Sequence, residues 1–176
     1  MNTTENLEIE RKFLVEYPDV KNLNVLRCAD ILQTYLSDGT NGSQRRVRRI
    51  TENGKVRYTY TEKIFRSASV REENEKEISA DEYSELIGQA KHGCTPVEKT
   101  RYAFDHIGQV FELDCYSFSD RFAIMELELG SEEQKIVLPE YINVICDVTA
   151  NRAYSNAALA NAGAFPEESA AEKEGR

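Results

Sequence analysis

Charged side chains recur two residues apart along this chain, and acids and bases segregate into separate pairs. Glu8, Glu10 and Lys12 alternate with Leu7, Ile9 and Phe13. Arg46 and Arg48 flank Val47, Lys63 shares a phase with Thr59 and Thr61, and Lys99 is in phase with Arg101. Glu112 and Asp114 alternate with Phe111, Leu113 and Cys115; Glu126 and Glu128 alternate with Met125, Leu127 and Leu129. Arg71, Glu73, Glu75 and Glu77 form a further in-phase run. Bases gathered on one face could clamp a polyanion, and the planar guanidinium suits bidentate phosphate contacts. The carboxylates would repel that polyanion unless a hard cation lay between them, which points to Mg²⁺ or Mn²⁺ with oxygen ligands.

The elements that must position these residues are mostly strands. Period-2 alternation predicts strands near 7–15, 31–37, 44–51, 56–65, 70–78, 98–105, 109–117 and 122–129, with a short extended piece at 144–149. Turn signals at 37–43, 52–54 and 105–108 separate them. Eight strands with hairpin-length gaps suggest an antiparallel sheet that could close on itself. Ser79 and Glu82 form a capping box opening a helix over 80–92, and Ser131 with Gln134 is a weaker one. Helices are also expected over 18–27 and 151–165. Residues 1–165 read as a single domain and 166–176 as a polar tail that frays.

Two readings of the charged faces compete. Each could be the solvated side of an open antiparallel sheet. Solvated faces usually mix Thr, Ser, Gln and Lys, however, whereas these sort into all-acid and all-base pairs, and the apolar faces need covering. The expected fold is therefore mainly β (α+β): an inside-out, eight-stranded antiparallel barrel with a charged lumen and an apolar outer wall clad by a few helices. Such a barrel can enclose one small ligand. A dry, unpaired ionic lumen would be costly, so water fills it until something highly charged enters.

Composition bounds the rest. The 176 residues, 40% hydrophobic and 30% charged, suit one soluble domain. A formal net charge of −9 argues against general affinity for nucleic acid or anionic membranes without excluding a local basic pocket. Four cysteines without C-x-x-C spacing and two histidines disfavour a structural zinc site and fit buried thiols in a reducing cytoplasm. There is no basic-then-apolar leader and no apolar run near the ~20 residues a membrane helix needs.

At these residues the chain resembles the CYTH domain, or triphosphate tunnel metalloenzyme, family, closest to its small bacterial inorganic triphosphatase-like members. The family hallmark E-x-E-x-K stands here as Glu8-Ile9-Glu10-Arg11-Lys12, followed in order by QTYL (33–36), RVR (46–48), TEK (61–63), EKEI (75–78), EKTRY (98–102), FELD (111–114), ELEL (126–129) and VTANRAYSNAALA (148–160). The chain departs from the pattern at Thr34, where Gly is usual, and at 147–154, where Asn151 replaces Asp and Arg152 is displaced by Ala153 from Tyr154. The resemblance implies an eight-stranded antiparallel tunnel that binds triphosphates with divalent metal. The implied activity is metal-dependent hydrolysis of tripolyphosphate, with ATP and thiamine triphosphate as further candidate substrates. The alternatives are a class IV adenylyl cyclase and a non-catalytic polyphosphate- or nucleotide-binding module.

Closure of a barrel makes its first and last strands neighbours, so Glu8, Glu10, Glu126 and Glu128 are the candidate metal ligands, with Glu112 and Asp114 as weaker ones. Arg46, Arg48, Lys63, Lys99 and Arg101 are the candidate phosphate-binding residues. Lys12 and Tyr35 are the candidate catalytic residues, the Tyr35 phenol being lowered from ~10 by the Lys12 ammonium if it acts as a base. Metal-bound water is the rival source of nucleophile. Exposed outer wall could support a homodimer.

Overall fold

The computed structural model describes residues 9–65 and 71–168. The strands are β1 (Ile9–Glu16), β2 (Val25–Tyr35), β3 (Gln44–Glu52), β4 (Lys55–Phe65), β5 (Arg71–Ile78), β6 (Val97–His106), β7 (Gln109–Tyr116), β8 (Phe122–Leu129) and β9 (Val144–Asp147). Two α-helices follow β5 and β9: α1 (Ala80–Ile87) and α2 (Asn156–Ala162). The fold is mainly β, as expected.

All nine strands form one sheet in the order β5-β4-β3-β2-β6-β7-β8-β1-β9, with antiparallel neighbours throughout. The expected closed eight-stranded barrel is corrected here: among the described residues β5 and β9 do not pair, so the sheet is open. It is nevertheless strongly curved. Glu75 of β5 and Glu112 of β7 line one cavity although five strand steps separate them, which would be about 24 Å in a flat sheet. β1 and β8 are neighbours as anticipated, in the register Glu10↔Glu128 and Lys12↔Glu126.

The tight hairpins owe their register to left-handed turn residues. Asn53 and Gly54 have φ of 50° and 73° between Glu52 and its partner Lys55. Ile107 and Gly108 do the same at 52° and 75°, an unfavourable conformation for a β-branched residue that the surrounding ladder enforces.

Alternation then sorts the side chains. The convex face carries Phe13, Val15, Phe104, Phe111, Leu113, Met125 and Leu127, covered by Val20, Leu23, Ile136 and Ile142. Cys115 packs there too, whereas Cys28 and Cys146 are exposed, so the expectation of buried thiols holds only in part. On the β3–β4 side, Val47, Tyr58 and Tyr60 pack under Tyr83 and Leu86 of α1. The Ser79–Glu82 capping box is present. At one end of the concave face the charged phase turns apolar: Leu14, Tyr35, Val97, Tyr116 and Ile124 pack against Leu159 and Ala160 of α2 and against Phe165. Helix α2 thus plugs that end.

Three expected elements differ. Residues 18–27 form only a single 3-10 turn, Val20–Asn22, capped by Asp19, because Val25 onward is drawn into a ladder with β6 that outweighs a weak helical pattern. Ser131 and Gln134 close a turn rather than a helix, the Gln134 Oε1 accepting from Gly130 N at 2.8 Å. The helix expected over 151–165 splits into a 3-10 turn, Arg152–Tyr154, and α2, which Ser155 caps and Gly163 ends at φ 68°. The start of the tail is anchored rather than frayed: Tyr154 bonds Glu167, and Ser119 donates to Glu168 at 2.6 Å. No helix among the described residues is long and apolar enough to cross a membrane.

Candidate active site

The concave face gathers the sequence-predicted charges. Gln33↔Arg48 and Tyr35↔Arg46 pair β2 with β3, Ala29↔Arg101 pairs β2 with β6, and Arg101↔Asp114 and Ala103↔Glu112 pair β6 with β7. Glu112↔Glu126 and Glu126↔Lys12 complete the row through β8 to β1. Glu8 lies outside the described residues.

Asp114 is the hub of one half. Its side chain is 0% exposed and accepts from Arg101 Nε and Nη2 at 2.7 Å each, and from Lys99. Burial alone would raise this carboxyl, but Lys99 and Arg101 hold it well below the usual carboxylate range. Arg101 also bonds Glu112, and Glu126 at 3.1 Å; burial works against its charge, and these carboxylates raise its pKa regardless. Lys12 bridges Glu126 at 2.8 Å and Glu10 at 3.2 Å. Burial opposes the Lys12 charge, and the two carboxylates more than restore it, raising its pKa.

The other half lies on β3–β5. Arg46 and Lys63 share Glu73 at 3.1 and 2.7 Å, and Arg48 pairs with Glu75, which also accepts from Thr61 at 2.8 Å. These pairs engage the Arg46 and Arg48 guanidiniums through Nη2. Arg46 Nε, Arg48 Nε and Thr59 Oγ1 are buried without hydrogen-bond partners among the described residues. Burial and the neighbouring Arg46 guanidinium both lower the Arg48 pKa. An anion entering this half would satisfy the donors and relieve the repulsion.

The expected coupling of Tyr35 to Lys12 is corrected. The Tyr35 phenol accepts from Gln33 Nε2 at 2.9 Å and lies beside Arg46, while Lys12 is engaged by Glu126 and Glu10. Burial raises the Tyr35 pKa despite Arg46, so the phenol is protonated at neutral pH. The 147–154 segment braces β1 rather than facing the lumen: Thr149 Oγ1 accepts from Lys12 N at 2.9 Å, Asp147 pairs with Arg11, and Asn151 caps its own 3-10 turn.

For a metal, the described residues offer an all-oxygen set. Glu10 and Glu128 stand directly opposite in register, a like-charge pair that Lys12, 3.2 Å from Glu10, offsets on one side. Such a set fits an oxygen-preferring ion such as Mg²⁺ or Mn²⁺. No group of three or more candidate ligands is assembled among the described residues. Asp114 and Glu112, the weaker metal candidates, are committed to Lys99 and Arg101.

Sequence reading placed Thr59 on the charged face without giving it a role, and missed Arg27, Arg57 and Asn156. Arg57 shares the Lys63 phase and could have been found by extending it; Arg27 was hidden by the helix expected there. Asn156, the first residue of α2, accepts from Tyr116 at 2.8 Å and lies 3.4 Å from Lys99 Nζ.

The CYTH domain family model matches residues 6–142. The chain belongs to the CYTH domain family. The match spans β1–β8 and ends before β9 and α2, so the helix that plugs the CYTH trough lies beyond it. The structure is similar to that of the inorganic triphosphatase NE1496, with 31% identity over 88% of this chain and 94% of that one and a TM-score of 0.58. A second structure, of the hypothetical protein NE1496, gives 32% identity, 90% and 99% coverage and a TM-score of 0.59. PH1819 from Pyrococcus horikoshii OT3 shares the fold at 21% identity, 70% and 80% coverage and a TM-score of 0.51. No curated protein matches significantly.

Proposed function

We propose that this CYTH protein is a metal-dependent triphosphatase whose substrate is inorganic tripolyphosphate, split into pyrophosphate and phosphate. The observation that carries this reading is the pair of buried, unpartnered Nε groups on Arg46 and Arg48, which ask for an anion with several acceptor oxygens. The similarity to the inorganic triphosphatase NE1496 supports the choice of substrate.

In this reading Arg46, Arg48, Lys63, Lys99 and Arg101 bind the phosphoryl oxygens, and the carboxylates that hold them now serve to orient them. Glu10, Glu126 and Glu128, with Glu8, would hold Mg²⁺ or Mn²⁺, which when bound supplies neutralisation of phosphoryl charge. Lys12 donates to the reacting phosphoryl group. Tyr35, protonated and set against Arg46, donates a hydrogen bond rather than removing a proton. Water attacks the terminal phosphorus and the anhydride bond breaks, with positioning and fixed positive charge supplying the acceleration. Four free cysteines fit a reducing, cytoplasmic setting.

The test is phosphate release from tripolyphosphate, ATP, thiamine triphosphate and pyrophosphate, each with Mg²⁺, Mn²⁺ or EDTA. Metal-dependent release from tripolyphosphate above the others is expected. Cyclic AMP from ATP without phosphate release would make the protein a cyclase. Tight tripolyphosphate binding with neither product would make it a binding module.

A further inference from the structure

The charged trough does not end at Arg48 and Arg101. At the end away from α2, a cavity of about 80 Å³ is lined by four guanidinium groups, those of Arg27, Arg48, Arg57 and Arg101, against three carboxylates. Arg57 stands opposite Ile50 on β3, which stands opposite Ile31 on β2, which stands opposite Lys99 on β6. It therefore belongs to the lumen face, one two-residue step, about 7 Å, nearer the mouth than Thr59 and Arg48. Among the described residues Arg57 forms no ion pair. Arg27 is 62% exposed, and its side chain spans to Glu52 at 3.6 Å and Glu112 at 3.8 Å, contacts loose enough to exchange for a ligand. Arg48, whose buried Nε has no hydrogen-bond partner among the described residues, lines the same cavity.

We infer that Arg57 and Arg27 form an outer phosphate subsite, which binds a fourth phosphoryl unit of a linear polyphosphate whose first three occupy the inner trough. The inference rests on the triphosphatase reading and extends it to the substrate class. The remaining lining is Ala29, Ile31, Ile50 and Ala103, with no aromatic side chain on which a nucleobase could stack. The mouth is thus built for further inorganic phosphate rather than for a nucleoside. Arg57, which has no ion pair among the described residues, supplies positive charge of the right sign at this cavity.

The deciding experiment compares linear tetrapolyphosphate with tripolyphosphate for wild type, R57A, R57K and R27Q, by phosphate release and, in EDTA, by calorimetric binding. The expected result is that R57A lowers kcat/KM for tetrapolyphosphate about tenfold more than for tripolyphosphate, as loss of one charged phosphate contact requires. R57K recovers part of that ratio, and R27Q shifts it in the same direction as R57A. An equal loss on both substrates would place Arg57 in the inner site and overturn the inference; so would no loss on either. Should wild type hydrolyse neither compound, the triphosphatase reading fails on its own. The outer subsite is then judged by whether R57A weakens tetrapolyphosphate binding more than tripolyphosphate binding.

Discussion

Replacing Asp114 by Ala tests whether the ionic trough is held together by its own pairs. The carboxylate is wholly buried, and Lys99 is only 3% exposed. Without Asp114, Arg101 retains Glu112 and Glu126, while among the described residues Lys99 loses its direct carboxylate partner and is left with a 3.4 Å approach to Asn156, the Tyr116 ring 5.5 Å from its Nζ and the more distant Glu126 charge. Leaving one member of a buried pair without its partner costs about 3–5 kcal/mol. For a chain of this size each kcal/mol lowers Tm by roughly 2–4 °C, so D114A should melt about 6–20 °C below wild type. Thermal denaturation followed by circular dichroism measures this directly. The double variant K99M/D114A removes the stranded ammonium and should regain at least half of the loss. The Asp114 carboxyl is depressed in the folded state, so its contribution is fully present above the unfolded value of ~4 and fades only as pH falls toward the folded one. The gap between wild type and D114A should therefore stay constant from pH 5 to 7 and narrow below ~4. A drop in Tm of under about 3 °C for D114A, or a double variant no better than the single, would refute the reasoning.

Other expectations follow from the same contacts. Lys12→Ala should cut kcat on tripolyphosphate by about a hundredfold with an unchanged far-ultraviolet spectrum, since it removes a fixed charge at the reacting group; near wild-type turnover would remove Lys12 from the site. Tyr35→Phe should lower kcat/KM while leaving the basic limb of the pH–rate profile in place, because burial keeps the phenol protonated; a lost limb would show that Tyr35 titrates. Glu128→Gln relieves the opposition to Glu10, so in EDTA it should stabilise by about 0.5 kcal/mol, read as a small rise in Tm, while raising the metal concentration needed for turnover. Phe165→Ala should destabilise by about 3–5 kcal/mol in urea titration, since this fully buried ring touches Tyr116, Phe118, Phe122 and Tyr154 where α2 seals the trough.

What could be read from the sequence was whatever depends on period 2. A strand sends alternate side chains to opposite faces, so Arg46 with Arg48, Lys99 with Arg101 and Glu126 with Lys12 were bound to share a surface once the strands paired. The adjacency of β1 and β8 followed from treating the chain as an antiparallel series that closes on its start; the Glu10–Glu128 opposition came only with the register. Closure was not legible, because it depends on whether two distant edge strands meet, and no local pattern encodes that meeting. Nor was the partner of each charge. Lys12 and Tyr35 look like a catalytic couple in sequence, yet cross-strand register assigns Lys12 to Glu126 and Tyr35 to Arg46. Arg27 shows the same limit from the other side. Its neighbours Val20, Leu23 and Leu26 suit one helical face, and only the ladder to β6 turns the segment into strand and carries Arg27 to the mouth of the trough. Local pattern thus supplies the chemistry of each face, and long-range register decides which charges answer one another. The Arg46 and Arg48 Nε donors, which find no partner among the described residues, are where the trough is left incomplete for an anion.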